Sequence, residues 1–158
     1  MMIDYNTLST NKKPYIIERQ AFPFIKEIQW SHVEQQRLME EWEGTVETRG
    51  DTNLLTECGY SEPGLLNDVL NEMMKYGYNS FHIYYSKLKE AKTGGKHADG
   101  LDVLIVQSYG RMKYIIDDDE IILNPTDSVF IPSGIYHEGV HIEPRITCSF
   151  ANYLFSHK

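Results

Sequence analysis

After Asn79 the chain becomes a series of short β-prone segments cut by turn signals, and this pattern constrains the fold more than any other feature. Segments 81–87, 101–107, 111–116, 121–123, 128–131, 137–142 and 145–155 carry the β-branched and aromatic residues. Between them fall Gly94-Gly95, Tyr109-Gly110, Asp117-Asp118-Asp119, Asn124-Pro125, Pro132-Ser133-Gly134 and Glu143-Pro144. Many short strands at such spacing close into a sandwich or barrel, so the expected class is mainly β. The acidic run Asp117 to Glu120 reads as a solvated hairpin tip, because one short cluster lacks a full cation ligand set.

The first half reads differently. Tyr15, Ile16 and Ile17 follow Pro14 as an entry strand, and 45–55 reads as a hairpin around Gly50-Asp51. Ser31 is placed to cap a helix over 32–42, stopped by Gly44, with Val33, Leu38, Met39 and Trp42 as a narrow apolar stripe. Pro63 opens a second helix reaching about Tyr76, with Gly77 as its stop. Its Leu65, Leu66, Val69, Leu70, Met73 and Met74 make one apolar face suited to covering a sheet. The first ten residues read as loose. A single domain over 1–158 is expected, with 1–78 supplying N-terminal strands and helices and 79–158 the barrel core.

A formal net charge of −8 argues against broad contact with a phosphate backbone, so no nucleic-acid partner is expected. No apolar run approaches membrane-spanning length, and the N-terminal residues do not read as a secretory leader. Cys58 and Cys148 are too few for a disulfide framework and read as packed thiols in a reducing compartment, with the cytoplasm as the expected location.

The chemistry concentrates in His97-Ala98-Asp99 and in Pro132-Ser133-Gly134-Ile135-Tyr136-His137. Residues two apart on a strand point the same way, so His97 and Asp99 share a side if a strand runs through them. His137 follows a turn that ends one strand and starts the next, and a rolled sheet can bring the two segments together. Two imidazoles and a carboxylate suit Fe(II), Mn(II), Co(II), Ni(II) or Zn(II) and leave the opposite face of the ion open. The remaining histidines read as structural: His141 and His82 as strand residues, His32 and His157 as exposed.

Residues 96–150 resemble the cupin superfamily and, within it, the JmjC-type hydroxylases, with particular similarity to ribosomal-protein hydroxylases. The first motif runs His97-Ala-Asp99-Gly-Leu-Asp102 through Gln107 and Gly110 to Lys113-Tyr114. The second runs Asp127-Ser-Val-Phe-Ile-Pro132-Ser-Gly134-Ile-Tyr-His137-Glu138-Gly139. The resemblance implies a double-stranded β-helix, or jelly-roll barrel, with one or two N-terminal helices packed on it. It also implies Fe(II) held by His97, Asp99 and His137, with 2-oxoglutarate as co-substrate and hydroxylation of a small molecule or a peptide or protein side chain.

The sequence departs from this pattern where the co-substrate needs a cation. The family usually places lysine or arginine two residues past the glycine, and Met112 stands there. Lys113 faces the other way unless a bulge shifts the register. Arg145 with Thr147, on the last strand, is similar to an Arg-x-Ser that other oxygenases of this fold use, and Tyr84 or Tyr85 could donate a hydroxyl. Thr126 replaces a glycine common before the second motif, which changes a turn rather than the chemistry. The family's protein hydroxylases carry further substrate-binding and dimerisation domains, and 158 residues are expected to leave no room for them. A homodimer is one expected assembly. Two other readings stay open: a metal-binding cupin enzyme that does not use 2-oxoglutarate (a dioxygenase, isomerase or lyase), and a non-catalytic ligand-binding cupin.

Overall fold

The computed structural model describes residues 14–60 and 63–153. The N-terminal ten residues, the end of the last predicted strand (154–155) and His157 lie outside them. Ten strands form: β1 (Ile16–Glu18), β2 (Glu47–Arg49), β3 (Thr52–Leu55), β4 (Ser80–Ser86), β5 (Val103–Tyr109), β6 (Met112–Ile116), β7 (Asp119–Leu123), β8 (Ser128–Ile131), β9 (His137–His141) and β10 (Arg145–Ala151). A short 3-10 helix (Pro23–Glu27) precedes two α-helices, α1 (Trp30–Glu43) and α2 (Leu65–Met74). Among the described residues no helix is long and apolar enough to cross a membrane.

The strands make two antiparallel sheets. One has seven strands in the order β1-β8-β5-β10-β4-β3-β2, and the other has three in the order β7-β6-β9. Strand alternation then divides the interior into two cores. Leu104 and Val106 of β5, Phe81, Ile83 and Tyr85 of β4, and Ile146, Cys148 and Phe150 of β10 face the helices. There they pack with Val33 of α1 and Val69, Leu70 and Met73 of α2. On the opposite face of the large sheet, Ile105, Val129 and Ile131 meet Met112, Tyr114, Ile116, Ile121 and Leu123 of the small one. This is the mainly β, jelly-roll architecture expected, with both helices on the outer face of the larger sheet. The N-terminal half does more than cover it, since β1 pairs with β8 and β3 pairs with β4.

Two backbone features shape the site end of the sheets. Between β5 and β10 the register slips, with Ile146 opposite Tyr109 and Thr147 opposite Gln107. Ser108 is therefore an extra residue, a bulge whose hydroxyl donates to the carbonyls of Ile25 (2.8 Å) and Ile28 (3.1 Å). The bulge turns Tyr109 outward against the Trp30 ring, 5.3 Å between centroids, and leaves Gln107 facing inward. At Gly110, φ is +68° and a Cβ would lie 2.1 Å from the Pro144 carbonyl oxygen, so only glycine fits. Thr126 adopts φ +78°, the conformation a glycine would take freely, and its N–H donates to the Gln107 carbonyl at 2.7 Å.

Several local expectations need correction. The first helix begins at Trp30, not His32, with Gln29 rather than Ser31 as N-cap; the Gln29 N–H donates to His32 Nδ1 at 2.9 Å, and His32 is half-buried. Only part of its stripe faces the core: Val33 is buried, but Leu38 is 67% and Trp42 92% exposed, while Gln36 and Glu40 are buried. Those two polar residues are turned inward because they find partners there. Gln36 donates to Glu40 and to the Glu57 carbonyl, and Glu40 accepts from the Thr56 N–H at 2.8 Å. The second helix has Gly64 as its N-cap and leaves Met74 exposed. Asp117 and Asp118 form the predicted tip at positive φ, but Asp119 and Glu120 already belong to β7.

Candidate metal centre and cavity

His137 opens β9 and its side chain is buried. His97 lies outside the named strands, joined to His137 by an isolated antiparallel bridge. Each histidine donates its N–H to the other's carbonyl, at 2.9 and 2.8 Å. The strand expected through His97 and Asp99 is thus reduced to one bridge residue, and another device places Asp99. Its carbonyl accepts from the Gly134 N–H at 3.0 Å and from the Ser133 hydroxyl at 3.3 Å, while Asp102 accepts from the Ser133 N–H at 2.7 Å. The Pro132-Ser133-Gly134 turn therefore braces the His-x-Asp segment directly.

The three side chains converge, with one ligand atom from each within 4.8 Å of the others. Nδ1 of His97 lies 2.9 Å from the Gly95 carbonyl, and Nδ1 of His137 lies 3.0 Å from the Ile135 carbonyl. A carbonyl accepts only, so each Nδ1 carries a proton, and in the neutral ring each Nε2 is left with a lone pair, whereas a protonated ring can donate from Nε2. Those Nε2 atoms stand 3.6 and 3.2 Å from the two oxygens of Asp99. Ligands about 2.1 Å from one ion and at right angles are about 3 Å apart, so this spacing suits a shared divalent ion. Burial alone would raise the Asp99 carboxyl, but its hydrogen bond and charge contacts with His137 and the charge of His97 hold it below its ordinary value. Burial likewise opposes protonation of His137, yet Asp99 and the Ile135 carbonyl raise it.

The triad opens into a cavity of about 360 Å³ between the two sheets. Met112 and Tyr114 of β6, Tyr84 of β4, Thr52 of β3 and Arg145 and Thr147 of β10 line its interior. Arg145 is only 3% exposed. Its Nη1 donates to the Thr147 hydroxyl at 2.9 Å and its Nη2 to the Thr52 hydroxyl at 3.3 Å, while Nε has no partner. Thr147 in turn donates to Gln107 Oε1 at 2.8 Å. The Gln107 amide is fixed because its Nε2 donates to the Tyr109 and Gly110 carbonyls, both at 3.0 Å. Burial pushes the guanidinium below its ordinary value, and the Tyr114 and Tyr84 phenols oppose that shift. Burial also pushes the Tyr114 phenol up to about 12.

Of the residues singled out from the sequence, His97, Asp99, His137, Arg145, Thr147 and Tyr84 all reach this cavity. Tyr85 faces the other way, its ring 6.3 Å from that of Trp30. Lys113 is also outside, 3.5 Å from Glu120. The register of β6 runs unbroken from Met112 to Ile116 against both neighbours, so the bulge that would have turned Lys113 inward does not form. His82 lies on β4, and His141 on β9 has its Nε2 2.7 Å from the Leu88 carbonyl. Among the lining residues not singled out from the sequence are Tyr114 and Thr52. Tyr114 could have been found, since it shares strand parity with Met112; Thr52 could not, because it reaches the site only through sheet pairing.

No family model matches the sequence, and no curated protein matches it. Solved structures do match in fold. YcfD, a ribosomal oxygenase from Escherichia coli solved with cobalt and 2-oxoglutarate, aligns over 94% of this chain at 18% identity and a TM-score of 0.61. A prolyl-4-hydroxylase from Pseudomonas putida aligns over 93% of this chain and 95% of its own, at 13% identity and a TM-score of 0.62. The chain spans about half the length of YcfD, 51% of that chain. At these identities the likeness is one of fold, and it agrees with the jelly-roll class expected from the sequence.

Proposed function

We propose that this chain is an oxygenase that binds Fe(II) through His97, Asp99 and His137 and uses 2-oxoglutarate to hydroxylate a carbon of its substrate. One observation carries this reading. A buried guanidinium with no carboxylate partner, that of Arg145, lines the same cavity as three convergent metal ligands. A buried cation of this kind costs free energy unless an anion joins it, and a dicarboxylate that also chelates a metal has the matching chemistry. The fold neighbours solved with cobalt and 2-oxoglutarate, and with cobalt and succinic acid, support the same assignment.

When bound, iron and 2-oxoglutarate would supply, with dioxygen as the oxidant, decarboxylation to succinate and carbon dioxide coupled to transfer of one oxygen atom to the substrate. The protein's part is binding and orientation. The carbonyls of Gly95 and Ile135 fix the tautomers of His97 and His137 so that both Nε2 atoms face inward. Arg145, held by Thr147 and Thr52, takes the distal carboxylate. The Tyr84 hydroxyl offers a further donor from the cavity wall, and Met112 with Ile105 keeps that wall apolar and dry. The two buried free thiols, Cys58 and Cys148, suit a reducing compartment and a cytoplasmic location.

Calorimetric titration of 2-oxoglutarate into the Co(II)-loaded protein tests the reading. Saturable binding lost in Arg145→Met is the expected result. A second reading, a metal-dependent cupin enzyme without 2-oxoglutarate, is favoured by Met112 standing where relatives carry a cation. Metal binding without any 2-oxoglutarate heat would select it.

A further inference from the structure

We infer that the substrate carries a carboxylate, held at the cavity mouth by Arg49 with Lys92 and Lys96 on the rim. This deepens the oxygenase reading above and rests on it. The cavity has a second cation besides Arg145, because Arg49, the last residue of β2, also lines it. Tyr84 lies within the field of both arginines and of Asp99: burial and Asp99 raise its phenol, while Arg49 and Arg145 lower it. If the co-substrate's distal carboxylate is taken by Arg145, Arg49 remains for a second anionic group nearer the mouth.

The fold presents Arg49 deliberately. At the tip of its hairpin a Cβ on Gly50 would lie 2.7 Å from the carbonyl oxygens of both Lys92 and Thr93, so hairpin and rim are in tight backbone contact. The Asp51 N–H donates to the Lys92 carbonyl at 2.8 Å, and the Lys92 N–H donates back to the Asp51 carboxylate at 2.9 Å. The stem of Arg49 lies along Gly94, where an added Cβ would meet it at 3.5 Å. Hairpin and rim therefore act as one piece that sets the Arg49 side chain at the edge of the cavity, with its Nη1 donating to the Thr48 carbonyl at 3.0 Å.

Arg49 already holds a carboxylate, that of Glu47, at 3.1 Å with both side chains half exposed. An exposed pair of this sort contributes little to stability, so an incoming carboxylate can replace it. The rim reinforces the preference. Lys87, Lys89, Lys92 and Lys96 fall in one segment whose sole acid is Glu90. Lys87 pairs with Glu34 and Lys96 lies over the Tyr136 ring at 5.9 Å; among the described residues no carboxylate pairs with Lys92 or Lys96. On a chain of net charge −8, Arg49 and the exposed Lys92 and Lys96, which flank the lining residues Thr93, Gly94 and Gly95, favour an anion at the mouth.

The carboxylate could come from a free amino acid or from an acidic peptide, and the experiment separates the two. Zn(II)-loaded protein, with and without saturating 2-oxoglutarate, is titrated by calorimetry with L-glutamate against L-glutamine. The same is done with the capped tetrapeptide Ac-Ala-Glu-Glu-Ala-NH2 against its glutamine counterpart. In at least one pair the acidic member should bind about tenfold tighter. Arg49→Gln should abolish that advantage, and the distant control Arg111→Gln should keep it. Raising salt from about 50 to about 300 mM should weaken the acidic probe severalfold. Equal affinities within both pairs, or an advantage that survives Arg49→Gln, would overturn the inference. Lack of 2-oxoglutarate heat alongside an Arg49-dependent acidic preference would instead overturn the co-substrate reading alone.

Discussion

Nη1 of Arg145 donates to the Thr147 hydroxyl at 2.9 Å from two residues away on the same strand. This bond, continued through Gln107 to two backbone carbonyls, holds a buried cation in one orientation. A charge so fixed and so uncompensated has opposite effects on stability and on binding. Arg145→Met should leave the ligand-free protein as stable as wild type or more so, because it removes a desolvated charge. The same variant should weaken 2-oxoglutarate by about ten- to hundredfold, the loss of about 1.5–3 kcal/mol of charge-assisted hydrogen bonding, with Co(II) affinity unchanged. Urea denaturation and calorimetry on one preparation check both signs.

Met112 and Arg145 line the same cavity, so a cation can be moved between them. Adding Met112→Lys to Arg145→Met should restore part of the 2-oxoglutarate affinity, since it returns a cation to the same cavity. A double variant no better than Arg145→Met alone would show that this face of β6 does not reach the co-substrate.

The candidate ligands His97, Asp99 and His137 belong to neither apolar core, so their loss should spare the fold. Co(II) at about 100 times its Kd should stabilise the wild-type protein by about 2.7 kcal/mol. Asp99→Ala and His137→Ala should show no such gain in thermal denaturation while keeping wild-type circular dichroism. A full Co(II) shift in His137→Ala would remove that residue from the site.

Asp127 ties the start of the second motif together. Its buried carboxylate accepts from Arg19 (2.8 Å), the Gln20 N–H (3.0 Å) and the Asn124 N–H (3.0 Å). Burial would raise this carboxyl, but these donors together hold it below its ordinary value. A carboxyl depressed in the folded state stabilises fully above its unfolded value, about 3.9, and loses that contribution as pH falls through the folded one. Asp127→Asn should therefore cost about 1–3 kcal/mol at pH 7. The gap to wild type should narrow below about pH 4, as measured by urea denaturation across pH.

Thr126 holds φ +78° with a β-branched side chain. Thr126→Gly should relieve that strain and stabilise by about 1 kcal/mol, seen as a higher urea midpoint. A lower midpoint would mean that the buried threonine side chain contributes more than its backbone conformation costs.

The convergence of His97, Asp99 and His137 was legible because each of them sits beside a turn that the sequence announces. Gly94-Gly95 leads into His97, and Pro132-Ser133-Gly134 both starts the return to His137 and braces Asp99. The second helix was legible because its apolar periodicity matches its buried face at Val69, Leu70 and Met73. The first helix was legible in place but not in rotation: its apolar residues Leu38 and Trp42 point outward. Buried hydrogen bonds to Gln36 and Glu40 set its rotation, and a pattern of hydrophobicity carries no trace of such partners.

Local signals thus determined the ligand types, the turns that deliver them and the alternation that sends Met112 inward and Lys113 outward. Tertiary structure decided which cation serves the cavity. The sequence offers both Arg145 and Lys113, and Arg145 is the one buried in the cavity because β4 and β5 pair on either side of β10. Thr52 and Arg49 reach the site from a hairpin far upstream because β3 pairs with β4. A residue's own periodicity fixes the face of its strand, whereas its partners across the sheet depend on the register of strands distant in sequence, and that register is settled only when the whole sheet forms.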